Sequence, residues 1–277
     1  MPPHHILFRG ADTTVAGILR EELPDREYRV EAASGGLLEE IPAVHPEVLV
    51  AEPGTPADGL RLLPRLRERL PGTKILLVTP RCSPEELIAA LRLGAFAVFH
   101  KPLSRIAFCD MVREAASGDA CDGDIVLLSA VAHWVTLRMS CRAATVDRAV
   151  QFYREFDMDL PGEEREQIAT ALRELLMNAV EHGGRSDPRN KVDVTRLRTP
   201  GFLGFHIQDP GEGFSFENLP HAAVSNPPGS AAGHLEKRLE LGMRPGGFGI
   251  SMARDLLDGL YYNEKGNEVI LIKNLRR

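Results

Sequence analysis

The chain has only four cysteines and few aromatic residues, and it has no long apolar run. Its four cysteines, Cys82, Cys109, Cys121 and Cys141, are scattered. That spacing fits neither a disulfide framework nor a zinc site and points to reduced thiols in a cytoplasmic protein. The nine histidines also lack ligand spacing, His4-His5 included. No apolar stretch approaches the ~18 residues of a membrane span, and no charged-then-apolar leader opens the chain, so neither a membrane span nor an export signal is expected. Neither sign of charge dominates. The 33 Lys and Arg are interspersed with 39 Asp and Glu, for a net charge of −6, which argues against a broad nucleic-acid or anionic-membrane surface. What remains is 277 residues, 43% of them hydrophobic. That is enough to bury a sizeable core in about two domains of ~100–200 residues each.

The first half alternates short apolar runs with helical patterns. Strands are expected at Ile6–Arg9, Tyr28–Ala32, Val48–Glu52, Ile75–Thr79 and Ala97–His100. Helices are expected at Thr13–Leu23, Leu37–Ile41, Gly59–Leu70, Pro84–Leu93 and Arg105–Ala116. Five such units predict a doubly wound, five-stranded parallel sheet, and the unbroken apolar runs suit strands buried on both faces. Ser83 before Pro84-Glu85-Glu86 is a good helix start. Asp58 reads as a helix cap. The run PEVLVAEPGTPADG at Pro46–Gly59, the strand-closing Thr79 and the pair Lys101-Pro102 together resemble the phosphoacceptor segment, hydroxyl and lysine of a response-regulator receiver domain. In open parallel sheets such residues converge at the carboxyl ends of the strands. The receiver's chemistry is missing. Glu52 stands where the resemblance puts an aspartate, Arg9-Gly10 stands where it puts an acidic pair for magnesium, and Asp12 comes two or three residues too late. Aspartyl phosphorylation needs both the aspartate and a divalent ion, so this half reads as a degenerate pseudo-receiver. Two roles stay open for Glu52: pairing with Lys101 in a fixed, activated-like arrangement, or a leftover polar residue in a docking domain.

Ser117–Asp124, small, polar and free of apolar periodicity, divides a domain at 1–120 from one at 121–277. In the second domain Trp134–Met139 reads as a strand and Ala144–Phe156 as an amphipathic helix. Asp193–Leu197 and Phe202–Gln208 read as a β pair, Ser251–Leu260 as a helix, and Gly259–Asn263 with Glu268–Lys273 as a hairpin turning at Gly266-Asn267. The expected architecture is an α/β sandwich, with helices on one face of a mixed sheet.

Three motifs carry the chemistry. In ELLMNAVEHGG (Glu174–Gly184) the residues Ile168, Leu172, Leu175 and Ala179 fall on one helical stripe, while Glu174, Asn178 and His182 line another. Asp209-Pro210-Gly211-Glu212-Gly213-Phe214 follows a strand, and Gly246-Gly247-Phe248-Gly249-Ile250 precedes a helix. In this order the blocks resemble the N box and the first and second glycine boxes of the histidine-kinase-like (Bergerat-fold) ATPases. The short E-x-x-x-N-A-x-x-H form is most similar to the anti-sigma-factor serine kinases. The resemblance covers roughly the second half of the chain. Asp209 suits an acceptor for the adenine amino group, with Gly211 and Gly213 letting backbone approach the base. Gly246, Gly247 and Gly249 suit phosphate at a helix N-terminus. Asn178 suits a magnesium ligand, completed by phosphates and water. Glu174, one turn away, suits a general base toward a partner's hydroxyl. His182 is placed beside the nucleotide as a supporting contact. The stretch Phe214–Pro245 is expected to be an ATP lid. The serine kinases carry an arginine near its end, but Arg244 lies one residue early and Pro245 holds that place.

The resemblance implies a cytoplasmic, ATP- and magnesium-dependent serine/threonine protein kinase acting on a partner protein. That partner would be a small anti-anti-sigma (STAS) domain, with a sigma factor as a further partner and a homodimer as a further possibility. Neither nucleic acid nor membrane is expected as a partner. No dimerisation helix pair with a phosphoacceptor histidine precedes the ATPase motifs, which argues against an autophosphorylating sensor kinase. The alternative is an ATP-gated binding module that sequesters a partner without transferring phosphate. A third reading has the first domain itself receive phosphate, as in hybrid two-component proteins.

Overall fold

The computed structural model describes residues 2–33, 46–118, 123–214 and 249–275. The chain divides into two compact units, residues 1–124 with 151–156, and residues 125–150 with 157–277.

In the first unit the elements are β1 (His4–Arg9), α1 (Thr13–Glu22), β2 (Tyr28–Ala33), β3 (Val48–Ala51), α2 (Pro56–Arg69), β4 (Lys74–Thr79), α3 (Pro84–Arg92), β5 (Ala97–His100) and α4 (Arg105–Ser117). All paired strands are parallel, in the order β2-β1-β3-β4-β5. This is the flavodoxin-like doubly wound order. β3 is buried at every position, as a central strand covered on both faces must be. One layer of core gathers Leu7, Leu49, Leu63, Leu66, Ile75 and Leu77. Elsewhere in the unit Phe99 and Phe108 meet edge to face at 5.2 Å. The helix starts follow local chemistry. Ser83 and Glu86 form a reciprocal capping box. Thr55, with Pro56 behind it, caps α2. Asp58 is therefore not the cap but accepts the Thr55 hydroxyl at 2.7 Å. The helix expected at Leu37–Ile41 lies outside the described residues.

The second unit holds β6 (Ile125–Val131), β7 (Trp134–Ser140), α5 (Ala143–Phe156, its last turns counted with the first unit) and α6 (Gly162–Asn178). A π turn (Ala179–Gly183), β8 (Lys191–Arg198), β9 (Phe202–Gln208), α7 (Gly249–Leu256), β10 (Gly259–Tyr262) and β11 (Glu268–Asn274) follow. The strand order is β10-β11-β9-β8-β7-β6. Alternate residues are buried, among them Val135, Leu137, Val192, Val194, Phe205, Ile207, Val269 and Leu271. Trp134, Tyr261 and Ile270 point the other way and are exposed.

Three expectations are corrected here. Every described pairing is antiparallel rather than mixed, because two successive helices return the chain from β7 to run back as β8. β6 is an additional edge strand. Its run IVLLSAV lacks clean alternation, and its register slips between Leu127 and Ser129. The last helix stops at Leu256, not Leu260. Asp258 donates its N–H to the Ile272 carbonyl at 3.0 Å, which draws the chain into the sheet.

One buried ion pair fixes the turn end of the β8–β9 hairpin. Arg196 is only 1% exposed. Its Nε donates to Asp157 Oδ2 at 3.0 Å, its Nη2 donates to the same carboxylate, and its Nη1 donates to the Ala132 carbonyl at 3.3 Å. Arg198 adds a bond to Asp157 at 3.0 Å and clasps Asp159 at 2.7 and 2.6 Å. Removing one partner of such a pair strands a buried charge, which costs about 3–5 kcal/mol. Asp157→Ala is therefore expected to lower the unfolding free energy of the second unit by that amount, read from urea denaturation midpoints.

Candidate functional site

The site is built along α6 and the π turn that continues it. The stripe of Ile168, Leu172, Leu175 and Ala179 is buried, as its spacing predicts. Glu174 and Asn178, one turn apart, are half-buried beside it. Gly249, the first residue of α7, presses its backbone against both. A Cβ there would lie 2.9 Å from Glu174 Oε2 and 3.6 Å from Asn178 Nδ2. The second glycine motif thus brings a helix start, whose first N–H groups have no partner within the helix, up to the carboxylate and amide.

The other end of the site is shaped by the π turn. Gly184 N–H reaches the Ala179 carbonyl at 2.7 Å, and Ser186 N–H reaches Val180 at 2.9 Å. π-Helical insertions widen a helix and recur at functional sites. Here the turn carries Gly183 directly under Asp209, where any Cβ would collide with the carboxyl group. Gly211 packs on Gly183 in the same way, and its N–H donates to Asp209 Oδ1 at 2.8 Å. Cys141 lies beneath Gly184, and burial pushes its thiol up to about 11, so it remains protonated packing. Arg185 and Ser186 leave the turn with φ of 54° and 51°.

Asp209 is half-buried. Burial raises its carboxyl above the usual range, against the opposing Gly211 N–H and the charge of Lys265. Phe214 and Tyr262 stand nearby as an edge-to-face pair at 5.2 Å. Burial also raises the Tyr262 phenol, with Asp209 among the charges acting on it. Tyr262 is a site neighbour that the sequence alone does not single out, since it reads as an ordinary strand aromatic. Nine residues separate Glu174 from Gly183. The α-helical part, Glu174 to Asn178, rises about 6 Å, and the π turn covers the rest.

Of the residues expected to form the site, Glu174, Asn178 and Gly249 converge at one end and Asp209 and Gly211 at the other. Gly213, at φ 80° with its Cα against the Lys265 carbonyl, shapes the loop between β9 and the β10–β11 turn. His182 is exposed on the π turn. Arg244, Gly246 and Gly247, with the expected lid, lie outside the described residues. Among the described residues no group of three or more His, Cys, Asp or Glu is placed to hold a metal. The donor that fits magnesium is the Asn178 amide oxygen, a hard oxygen of the kind that ion shares with phosphates and water.

In the first unit Lys101 donates to Asp12 Oδ2 at 2.7 Å and to Glu52 Oε1, and the Asp12 N–H donates to Glu52 Oε2 at 3.0 Å. Asp12 also caps α1, accepting from Thr14 at 2.8 Å. The Lys101 ammonium and this cap hold the Asp12 carboxyl down at about 2. Lys101 rises despite the burial that opposes it, because both carboxylates accept from it. Arg9 is buried at the end of β1. Thr79 does not join the cluster, since its hydroxyl sits 3.1 Å from Cys82 Sγ. Of the expected trio, Glu52 and Lys101 meet, and Asp12 takes the third place.

The first unit is thus a doubly wound parallel sheet and the second an antiparallel sheet with helices, each with its own polar cluster. Residues 139–273 match the family model of the histidine kinase-like ATPase domain, which implies ATP binding. Among solved structures the chain is similar to a response regulator from Thermotoga maritima (16% identity over 42% of this chain and 98% of that chain, TM-score 0.37). It is also similar to a CheY-like receiver domain protein from Methanospirillum hungatei JF-1 (24%, 42% and 94%, TM-score 0.37). A third similar structure is a response regulator from Burkholderia pseudomallei that carries a phosphorylated aspartic acid (23%, 41% and 66%, TM-score 0.35). No curated protein matches the chain. No helix among the described residues is long and apolar enough to cross a membrane.

Two outcomes follow. Because burial penalises the Asp209 anion, Asp209→Asn is expected to leave the thermal midpoint of the nucleotide-free protein unchanged or raised. The same variant is expected to lose about tenfold or more in ATP affinity, as calorimetry can read. In the first unit a depressed carboxyl stabilises the fold above its unfolded value and loses that contribution as pH falls through its folded value. The Asp12 contribution is therefore complete above pH 3.8 and fades toward about 2. Lys101→Met removes the cation that holds the Asp12 carboxyl down, so its stability deficit is expected to be largest at neutral pH. The deficit should shrink as pH falls below 3.8 toward about 2, which thermal unfolding at pH 7 and pH 2 would distinguish.

Proposed function

We propose that the second unit is an ATP-dependent serine/threonine protein kinase of the anti-sigma-factor type, working in the cytoplasm on a small partner domain of the anti-anti-sigma kind. The observation that carries this reading is the placement of Glu174 and Asn178 against Gly249, on the same helical rod whose far end meets Asp209. Asp209 accepts the adenine amino proton, and Phe214 and Tyr262 give the base an apolar flank. Asn178 would hold magnesium together with the phosphates, and the metal would offset charge on the phosphoryl group to be transferred. Glu174, one turn from Asn178, takes or orients the proton of the attacking hydroxyl. The first unit serves as a fixed regulatory partner in this reading. Its Lys101 is held by two carboxylates, and Arg9 stands where a metal-binding carboxylate would be needed, so it does not accept phosphate itself.

Incubation with γ-labelled ATP and magnesium in a lysate of the source organism tests this. Wild type is expected to label a small protein on serine or threonine. Glu174→Gln is expected to bind ATP normally yet transfer phosphate about 100-fold or more slowly. Intact nucleotide binding with no labelled protein would instead favour an ATP-gated binding module that holds its partner without phosphotransfer.

A further inference from the structure

The turn between β10 and β11 reads in sequence as a plain hairpin connection, yet it is keyed into the loop that follows Asp209. Asn267 is 8% exposed. Its Nδ2 donates to the Asp209 carbonyl at 3.2 Å, and its own carbonyl accepts the Asp209 N–H at 3.0 Å. Both backbone groups of Asp209 are thus tied to one residue across the sheet edge. Asn267 is held in turn by Asn263, whose Nδ2 donates to Asn267 Oδ1 at 3.0 Å. Asn263 Oδ1 accepts three backbone N–H groups, from Gly266 at 2.7 Å, Asn267 at 3.1 Å and Glu268 at 3.2 Å. Two glycines let the loops interlock. Gly213 (φ 80°) lies against the Lys265 carbonyl and Gly266 (φ 81°) against the Phe214 backbone, each without room for a Cβ.

A carboxylate recognises a base edge only if it is held at one position and angle. Among the described residues the Asp209 side chain accepts one hydrogen bond, from the Gly211 N–H. We propose that Asn267, braced by Asn263, is the positioning residue of the base-recognition end. By clamping the Asp209 backbone it sets the direction of the carboxylate and so the preference for a nucleobase with a 6-amino donor. This rests on the nucleotide-site reading above and adds to it the residue pair that determines base specificity. An Asn–Asn brace suits the task because each amide offers a donor and an acceptor in one rigid plane. Neither is charged, so neither alters the electrostatics of the carboxylate it positions.

The test compares ADP with IDP, which carries a carbonyl where adenine has its amino donor. Affinities for the full-length protein and its variants are measured by calorimetry with magnesium present. Wild type is expected to prefer ADP. Asn267→Asp keeps size and the Oδ1 acceptor but loses the donor to Asp209, and Asn267→Ala loses both. Each is expected to shrink the ADP-to-IDP preference by about three- to tenfold, the value of one hydrogen bond. Asn263→Asp keeps the backbone acceptor and loses only the brace to Asn267, and is expected to produce a smaller loss of the same preference. This variant keeps the test available should Asn267→Ala fail to fold. If Asn267→Asp and Asn263→Asp lower the thermal midpoint but keep the wild-type ratio, Asn267 is a hairpin strut and the proposal is overturned while the nucleotide site stands. If wild type binds neither nucleotide, or both equally, the nucleotide reading fails and the proposal falls with it.

Discussion

The second unit depends on backbone approaching α6 and its π turn at points with little room for a side chain. Gly249 lies on Glu174 and Asn178, Gly183 lies under Asp209, and Gly211 lies on Gly183. At Gly183 and Gly211 a Cβ would strike the Asp209 carboxyl or the Gly183 backbone, whereas at Gly249 it would only press on the end of the Glu174 side chain. Between them they fix where the Asp209 loop and the start of α7 meet the two ends of this helical rod. The helix itself is held from below by Leu172, Leu175 and Leu176, all nearly inaccessible. A rigid rod with glycine contacts at both ends lets a ligand meet main chain directly, and main-chain N–H groups are the donors that phosphate needs.

The first unit solves a different problem with charge. A doubly wound parallel sheet gathers polar groups at the carboxyl ends of its strands. Carboxylates brought together there need a cation. Lys101 provides it, bridging Asp12 and Glu52, while the Asp12 N–H closes the ring. Gly10 makes the arrangement possible, since a Cβ there would run into the Glu52 side chain. Of the two readings that the sequence leaves open for Glu52, the geometry supports pairing. The partner set also includes Asp12, which sequence position alone sets aside as too late in the chain.

Much of the architecture was legible because the signals are local and periodic. Continuous apolar runs marked the buried parallel strands, and the i, i+4 spacing of Glu174 and Asn178 placed both on the face that Gly249 meets. What escaped was whatever depends on partners distant in sequence. The π turn is invisible, since a 3.6-residue period extrapolates through Ala179–Gly183 and puts His182 in line with Asn178, whereas His182 is exposed. β6 has no alternation to betray it. Arg196 sits on the buried face of β8, where a charged residue reads as solvent-facing until Asp157 is found 39 residues away. Asn267 is the same kind of miss. An asparagine after a glycine is ordinary turn chemistry, and only the fold shows that its amide reaches Asp209.

The β8–β9 hairpin joins these observations into one mechanical argument. At its turn end Arg196 and Arg198 grip Asp157 and Asp159, and Thr199 accepts the N–H groups of Gly201 and Phe202 at 3.3 and 3.1 Å. At its open end β9 runs into Asp209, whose backbone N–H and carbonyl are both tied to Asn267. One end is therefore anchored by buried charge that tolerates no loss of a partner. The other end carries a half-buried carboxylate whose ionisation opposes burial. The ionic anchor contributes stability, the carboxylate costs some, and seven residues of strand separate them. Substitutions at the anchor should thus change how firmly the hairpin stands, while substitutions around Asn267 change how the Asp209 backbone is held. That separation lets a carboxylate whose burial is unfavourable sit at the end of a strand that is anchored elsewhere.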